Sequence, residues 1–154
     1  KRLECKFYRE MNNWFECKVS FDRMGEDGLI KKVTEPYLVD AISFTEAEER
    51  ITREIKPFVS GEFVVANIKR AKIAELFSNG VGDKWYRCKV NFVSFDEKKQ
   101  IEKRVAQNML VQASDFRTAL ENLLQGMRGT MADYEIASIM ETAIMDVFSF
   151  SVQQ

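Results

Sequence analysis

The stretch Trp14-Phe15-Glu16-Cys17-Lys18-Val19-Ser20-Phe21 returns 71 residues later as Trp85-Tyr86-Arg87-Cys88-Lys89-Val90-Asn91-Phe92. In the first copy Phe15, Cys17, Val19 and Phe21 fall to one side, and Trp14, Glu16, Lys18 and Ser20 to the other. That period of two is the pattern of a strand with one face on a core. A repeat at this separation marks a duplicated chain and constrains the fold more than any single motif does.

Outward from the first copy, Gly25-Glu26-Asp27-Gly28 supplies turn residues, and Leu29 to Val39 reads as the returning strand of a β-hairpin. Pro36 lacks an N–H to give to a ladder, so it belongs at an edge or a bulge. Ser43 followed by Glu46 has the spacing of a capping box, and the sequence predicts a helix over 45–56. Its apolar stripe is Phe44, Ala47, Ile51, Ile55 and Phe58, with Glu48, Glu49, Arg53 and Lys56 left to solvent. Pro57 and Gly61 end it. Glu62 to Phe77 fits neither period cleanly. It is read as one long strand whose bulge lies between Ile68 and Ile73, with a helix as the alternative.

The second half repeats this plan. Leu38-Val39 matches Leu110-Val111, Ala41 matches Ala113, Phe44 matches Phe116 and Ala47 matches Ala119. Asp115 takes the capping place, Phe116, Ala119, Leu120, Leu123 and Met127 form the stripe, and Gly126 and Gly129 close the helix. Tyr134 to Phe148 reads as the last strand, again with helix as the alternative. It is more apolar than its counterpart, which predicts deeper burial or a subunit contact. The fold class expected is α+β, an internally duplicated ββαβ unit with a mainly antiparallel sheet and two helices. The division expected is a peripheral extension over 1–10, a first repeat over 11–82 and a second over 83–154, together one compact domain of two halves. Met11 is read as the natural start.

The chain has 154 residues, 23 basic and 24 acidic side chains and a net charge of -1. It therefore lacks the strong basic field of a nonspecific nucleic-acid or membrane-surface binder, and a nucleic-acid site must be a local patch. Its apolar runs fall short of a membrane helix. The three cysteines, Cys5, Cys17 and Cys88, are odd in number and have no C-x-x-C spacing. Free thiols in a reducing compartment are expected, with Cys17 and Cys88 as buried small hydrophobes. There is no histidine, which removes His-based relays and most transition-metal sites. The expectation is a cytoplasmic protein without a cofactor or metal, and not an enzyme.

Four stretches carry a resemblance: Asn12-Asn13-Trp14-Phe15-Glu16-Cys17-Lys18-Val19, Lys32-Val33-Thr34-Glu35-Pro36-Tyr37-Leu38-Val39-Asp40-Ala41, Met109-Leu110-Val111-Gln112-Ala113-Ser114-Asp115-Phe116 and Gly129-Thr130-Met131-Ala132-Asp133-Tyr134-Glu135-Ile136. They resemble a family of small proteins of Bacteroidota and their phages classed as domain of unknown function 4494. The resemblance covers nearly everything after Met11. It implies a cytosolic protein of gut-type bacterial or phage origin and brings no catalytic residues with it.

Two site readings follow from the residues. Trp14, Lys18, Trp85, Arg87 and Lys89 lie on the polar side of the repeated strands, where an indole beside cations can stack a base and hold a phosphate. Lys31-Lys32, Lys103-Arg104 and Lys69-Arg70-Lys72 would extend that patch, while Glu16 opposes it. Against this, a Trp at a strand start more often caps the core or fills a subunit interface. The acidic residues Asp133, Glu135, Glu141 and Asp146 are an oxygen-ligand set for a divalent cation only if the fold gathers them, and a solvated strand face is the preferred reading. The leading expectation is an interaction protein that forms a homodimer or docks a protein partner through strand edges and the apolar 136–150 segment. Nucleotide or nucleic-acid binding is the alternative.

Overall fold

The computed structural model describes residues 13–149. The readings made of residues 1–10, Met11, Cys5 and Phe150 lie outside these. The order of elements is β1 (Asn13–Met24), β2 (Ile30–Ala41), α1 (Phe44–Ile55), β3 (Phe63–Ala71), β4 (Glu75–Phe77), β5 (Lys84–Asp96), β6 (Ile101–Ala113), α2 (Phe116–Gly126), β7 (Asp133–Glu141) and β8 (Val147–Phe148). This is an α+β fold with a duplicated plan. The strands form two four-stranded sheets, β3-β1-β2-β8 and β4-β6-β5-β7.

The first compact unit holds residues 13–71 and 144–149. β1 pairs antiparallel with both β2 and β3, and its odd-numbered side chains carry the alternation inward. Phe15, Cys17 and Val19 meet Tyr37, Val39 and Ala41 beneath Ala47, Ile51 and Ile55 of α1. The helix starts where Ser43 Oγ accepts a hydrogen bond from Glu46 N at 3.2 Å, which satisfies an otherwise orphaned amide. Pro36 uses only its carbonyl toward the sheet edge, accepting from Met145 N at 2.9 Å.

The second unit, residues 72–143, follows the same rules. Tyr86, Cys88 and Val90 pack with Met109, Val111, Ala113, Ala119, Leu123 and Met127. Asp115 caps α2 through a 2.7 Å bond from Thr118 N, and this bond holds its carboxyl below the usual range. Gly82 precedes β5 with a φ of 107°, and a Cβ there would stand 2.4 Å from the Ala113 carbonyl carbon. Both the left-handed backbone and the close approach require glycine. Gly82→Ala is expected to cost about 1–3 kcal/mol in chemical denaturation.

Several expectations need correction. Glu62 to Phe77 is neither one strand nor a helix. It is β3 in the first sheet and β4 in the second, where β4 runs parallel to β6. The bulge is real but sits at Ala66, which is skipped when Asn67 pairs with Lys18 and Val65 with Val19. Tyr134 to Phe148 divides likewise into β7, with its skipped residue at Ala137, and β8, which runs parallel to β2 in the first sheet. The last stretch of each repeat thus completes the sheet built by the other. β7 is not more deeply buried than β3, since both alternate between half-buried and exposed side chains. Phe44, Phe58 and Phe116 are exposed rather than buried in the helical stripes. Phe44 opens α1 and meets the Phe15 ring edge-on at 5.0 Å, while Arg70 lies over both rings.

Candidate functional site

In the first sheet Trp14, Glu16, Lys18 and Ser20 face away from α1, as their alternation requires. Trp14 is half-buried and Lys18 exposed. Four steps along the strand separate the two by roughly 13 Å. Glu16 stands between them, and Lys69 holds its carboxylate at 3.1 Å. Indole and ammonium are therefore divided by a neutralised pair. In the second sheet Trp85, Arg87 and Lys89 follow one another on the same face of β5. Arg87 is half-buried and Lys89 exposed, but Trp85 is only 5% exposed. Its carbonyl accepts from Thr142 N and Oγ1 at 2.9 and 2.7 Å. The fold brings Trp85, Arg87 and Lys89 together in one unit and Trp14 with Lys18 in the other.

Three of the four acidic residues are individually engaged. Glu135 accepts from Arg104 at 2.9 Å, Glu141 lies 3.5 Å from Lys84, and Asp146 Oδ1 accepts from Val147 N at 2.8 Å. Among the described residues no three carboxylate or thiol side chains converge at metal-binding distance. Arg23 and Tyr37 both donate to the buried Glu35 at 2.8 Å. Burial, then this bond, pushes the Tyr37 hydroxyl above its ordinary pKa.

Cys17 and Cys88 are free and fully buried. Burial pushes their thiols up, to about 12 and about 11. Native protein at pH 8 should therefore resist alkylation at both, and peptide mass spectrometry should show these two cysteines labelled only once denaturant opens the fold. The sign of the linked effect is fixed. The unfolded thiol ionises near 9 while the folded one stays protonated to about 12 or about 11. Stability is then lost as pH rises through that window. A urea midpoint no lower at pH 10.5 than at pH 8 would contradict this.

Sequence reasoning missed the most exposed features of the sheets. β1–β2 and β5–β6 extend past their helices as two-stranded arms, and every residue of β6 from 101 to 107 is exposed. Met24, Leu29 and Ile30 lie open at the end of the first arm, and Phe95 and Ile101 on the second, all between 49% and 68% exposed. The available signal was the length of the hairpins relative to the helices meant to cover them.

Fold and surface together define an internally duplicated α+β protein with two helix-backed sheets and two apolar-tipped arms. A family model described as a domain of unknown function (DUF4494) matches residues 13–150, and the chain belongs to that family. No curated protein and no solved structure matches it. Among the described residues no helix is long and apolar enough to cross a membrane.

Proposed function

We propose that the chain is a non-enzymatic binding protein of the cytoplasm that acts through contacts with its own copies or with a protein partner. The observation that carries this reading is the pair of arms. A two-stranded ribbon is marginal in water, and one that leaves large apolar side chains open, as both hairpins do, gains stability when another surface covers it. Hydrogen exchange tests it directly. The arms over 22–32 and 94–103, where each hairpin has no third strand beside it, should exchange fast in dilute protein and slow when the protein is concentrated or mixed with bacterial lysate. Arms that stay unprotected under every condition would overturn the reading. Replacing Phe95 and Ile101 together by serine should leave the unfolding free energy within about 0.5 kcal/mol of the parent and abolish that protection.

The alternative, nucleotide or nucleic-acid binding, is favoured by one observation: Arg87 and Lys89 lie consecutively on the face of β5 that also carries Trp85. The burial of Trp85 counts against it, because a stacking platform needs an open ring. Tryptophan fluorescence titrated with single-stranded DNA, RNA and nucleotides at low and moderate salt discriminates. Binding there gives a salt-dependent quench, and an unchanged spectrum removes the alternative.

A further inference from the structure

Among the described residues β3 is bonded only to β1 and β7 only to β5, so each sheet ends on an open nine-residue edge. Such edges are templates for another strand. We infer that β3 of one copy pairs antiparallel with β7 of the next, joining copies head to tail. This rests on the reading that the chain acts through contacts with its own copies.

Register and side-chain chemistry both support the pairing. Along β3, Phe63, Val65 and Ile68 face the helix-covered side. Val64 and Lys69, opposite Ser20 and Glu16, face away. Along β7, Tyr134, Ile136 and Ile139 face the covered side. Glu135 and Met140, opposite Asn91 and Arg87, face away. Laid antiparallel over their full length, with Phe63 opposite Glu141 and Ala71 opposite Asp133, the strands bring like faces together on both sides of their bulges. The two skipped residues, Ala66 and Ala137, fall at adjacent rungs, so neither bulge breaks the register. Ile68 then meets Ile136, and Val65 meets Ile139. On the open face Val64 meets Met140, both among the exposed large hydrophobics, and Lys69 meets Glu135.

The like pairings fit less well. A two-fold β3–β3 pairing that preserves faces sets Lys69 against Val64, and a β7–β7 pairing sets Glu135 against Met140. Of the three combinations, only the unlike one puts charge against charge and apolar against apolar. It also continues a row of alternating charge, since Lys69 already holds Glu16 at 3.1 Å and Glu135 already holds Arg104 at 2.9 Å. Because the joined surfaces differ, each added copy presents a fresh edge, and growth continues unless the rotation closes a ring.

Sedimentation velocity on the full chain over a wide concentration range tests this. The parent should gain mass with concentration. Lys69→Glu and Glu135→Lys should each weaken association roughly tenfold or more by setting like charges across the seam. An equimolar mixture of the two variants should associate like the parent, because the altered β3 of one fits the altered β7 of the other. Circular dichroism checks that each is folded. Val64→Glu and Met140→Lys form a second, independent pair with the same logic. A parent that stays monomeric throughout, or mixtures no better than their components, would overturn the inference. If the Phe95 and Ile101 double serine variant abolishes association while the charge variants leave it intact, edge pairing fails and the binding reading stands. If the arms also remain unprotected, both fail.

Discussion

Trp85→Ala is expected to lower stability by about 3–5 kcal/mol, the range for removing a large aromatic side chain from a packed interior. The indole is 5% exposed on the face of β5 away from α2. That face is not uniformly polar, because Leu110, on the neighbouring strand opposite Arg87, is fully buried. Leu38 takes the same place in the first sheet, opposite Glu16, and is fully buried too. The middle of each sheet is thus closed on both faces, and truncating Trp85 opens a cavity that the surrounding strands can fill only in part. Urea unfolding followed by far-ultraviolet circular dichroism gives the number without relying on the lost fluorophore. A loss below about 1 kcal/mol, the size of an ordinary surface change, would instead mark an open ring and restore the stacking-platform reading. Trp14→Ala should cost clearly less, because that side chain is half-buried.

The alternation around Trp14 and Trp85 made both hairpins legible, and Ser43 and Asp115 made both helix starts legible, because each signal is local. Glu62–Phe77 and Tyr134–Phe148 were not. A change of periodicity records that side chains switch face, and it is the same whether a strand bulges or leaves its sheet. Here both happen, a bulge at Ala66 or Ala137 followed by departure into the other sheet. Phe58 and Phe116 were assigned to the core because helical spacing shows which face a residue shares but not where the covering sheet stops. Alternation puts Trp14 with Lys18, and Trp85 with Arg87 and Lys89, on one side of their strands, but the burial separating Trp85 from Lys89 depends on tertiary packing that alternation does not report. The match between β3 and β7 was equally out of reach, because it depends on the observed registers.

The buried ion pair of α1 carries the other large effect. Arg50 is 4% exposed on the helix and donates to both the backbone carbonyl and the carboxylate of Asp40 at the end of β2, and Ser149 Oγ reaches the same carboxylate at 3.4 Å. In the second repeat the equivalent positions are Asn122 and Gln112, and Asn122 Nδ2 donates to the Gln112 carbonyl at 3.0 Å. The element common to both repeats is the helix-to-strand hydrogen bond, and the charges are an addition present in one copy. Asp40→Ala should therefore cost about 3–5 kcal/mol, because it leaves a buried guanidinium without its carboxylate. Replacing both residues by their neutral counterparts, Asp40→Gln with Arg50→Asn, should recover most of that loss. The strand-to-helix bond is retained and no buried charge remains to be compensated. Urea unfolding of Asp40→Gln, of Arg50→Asn and of the two together forms a mutant cycle. A double variant no more stable than Asp40→Ala would show that the charges themselves, and not the bond they share with the second repeat, hold α1 to its sheet.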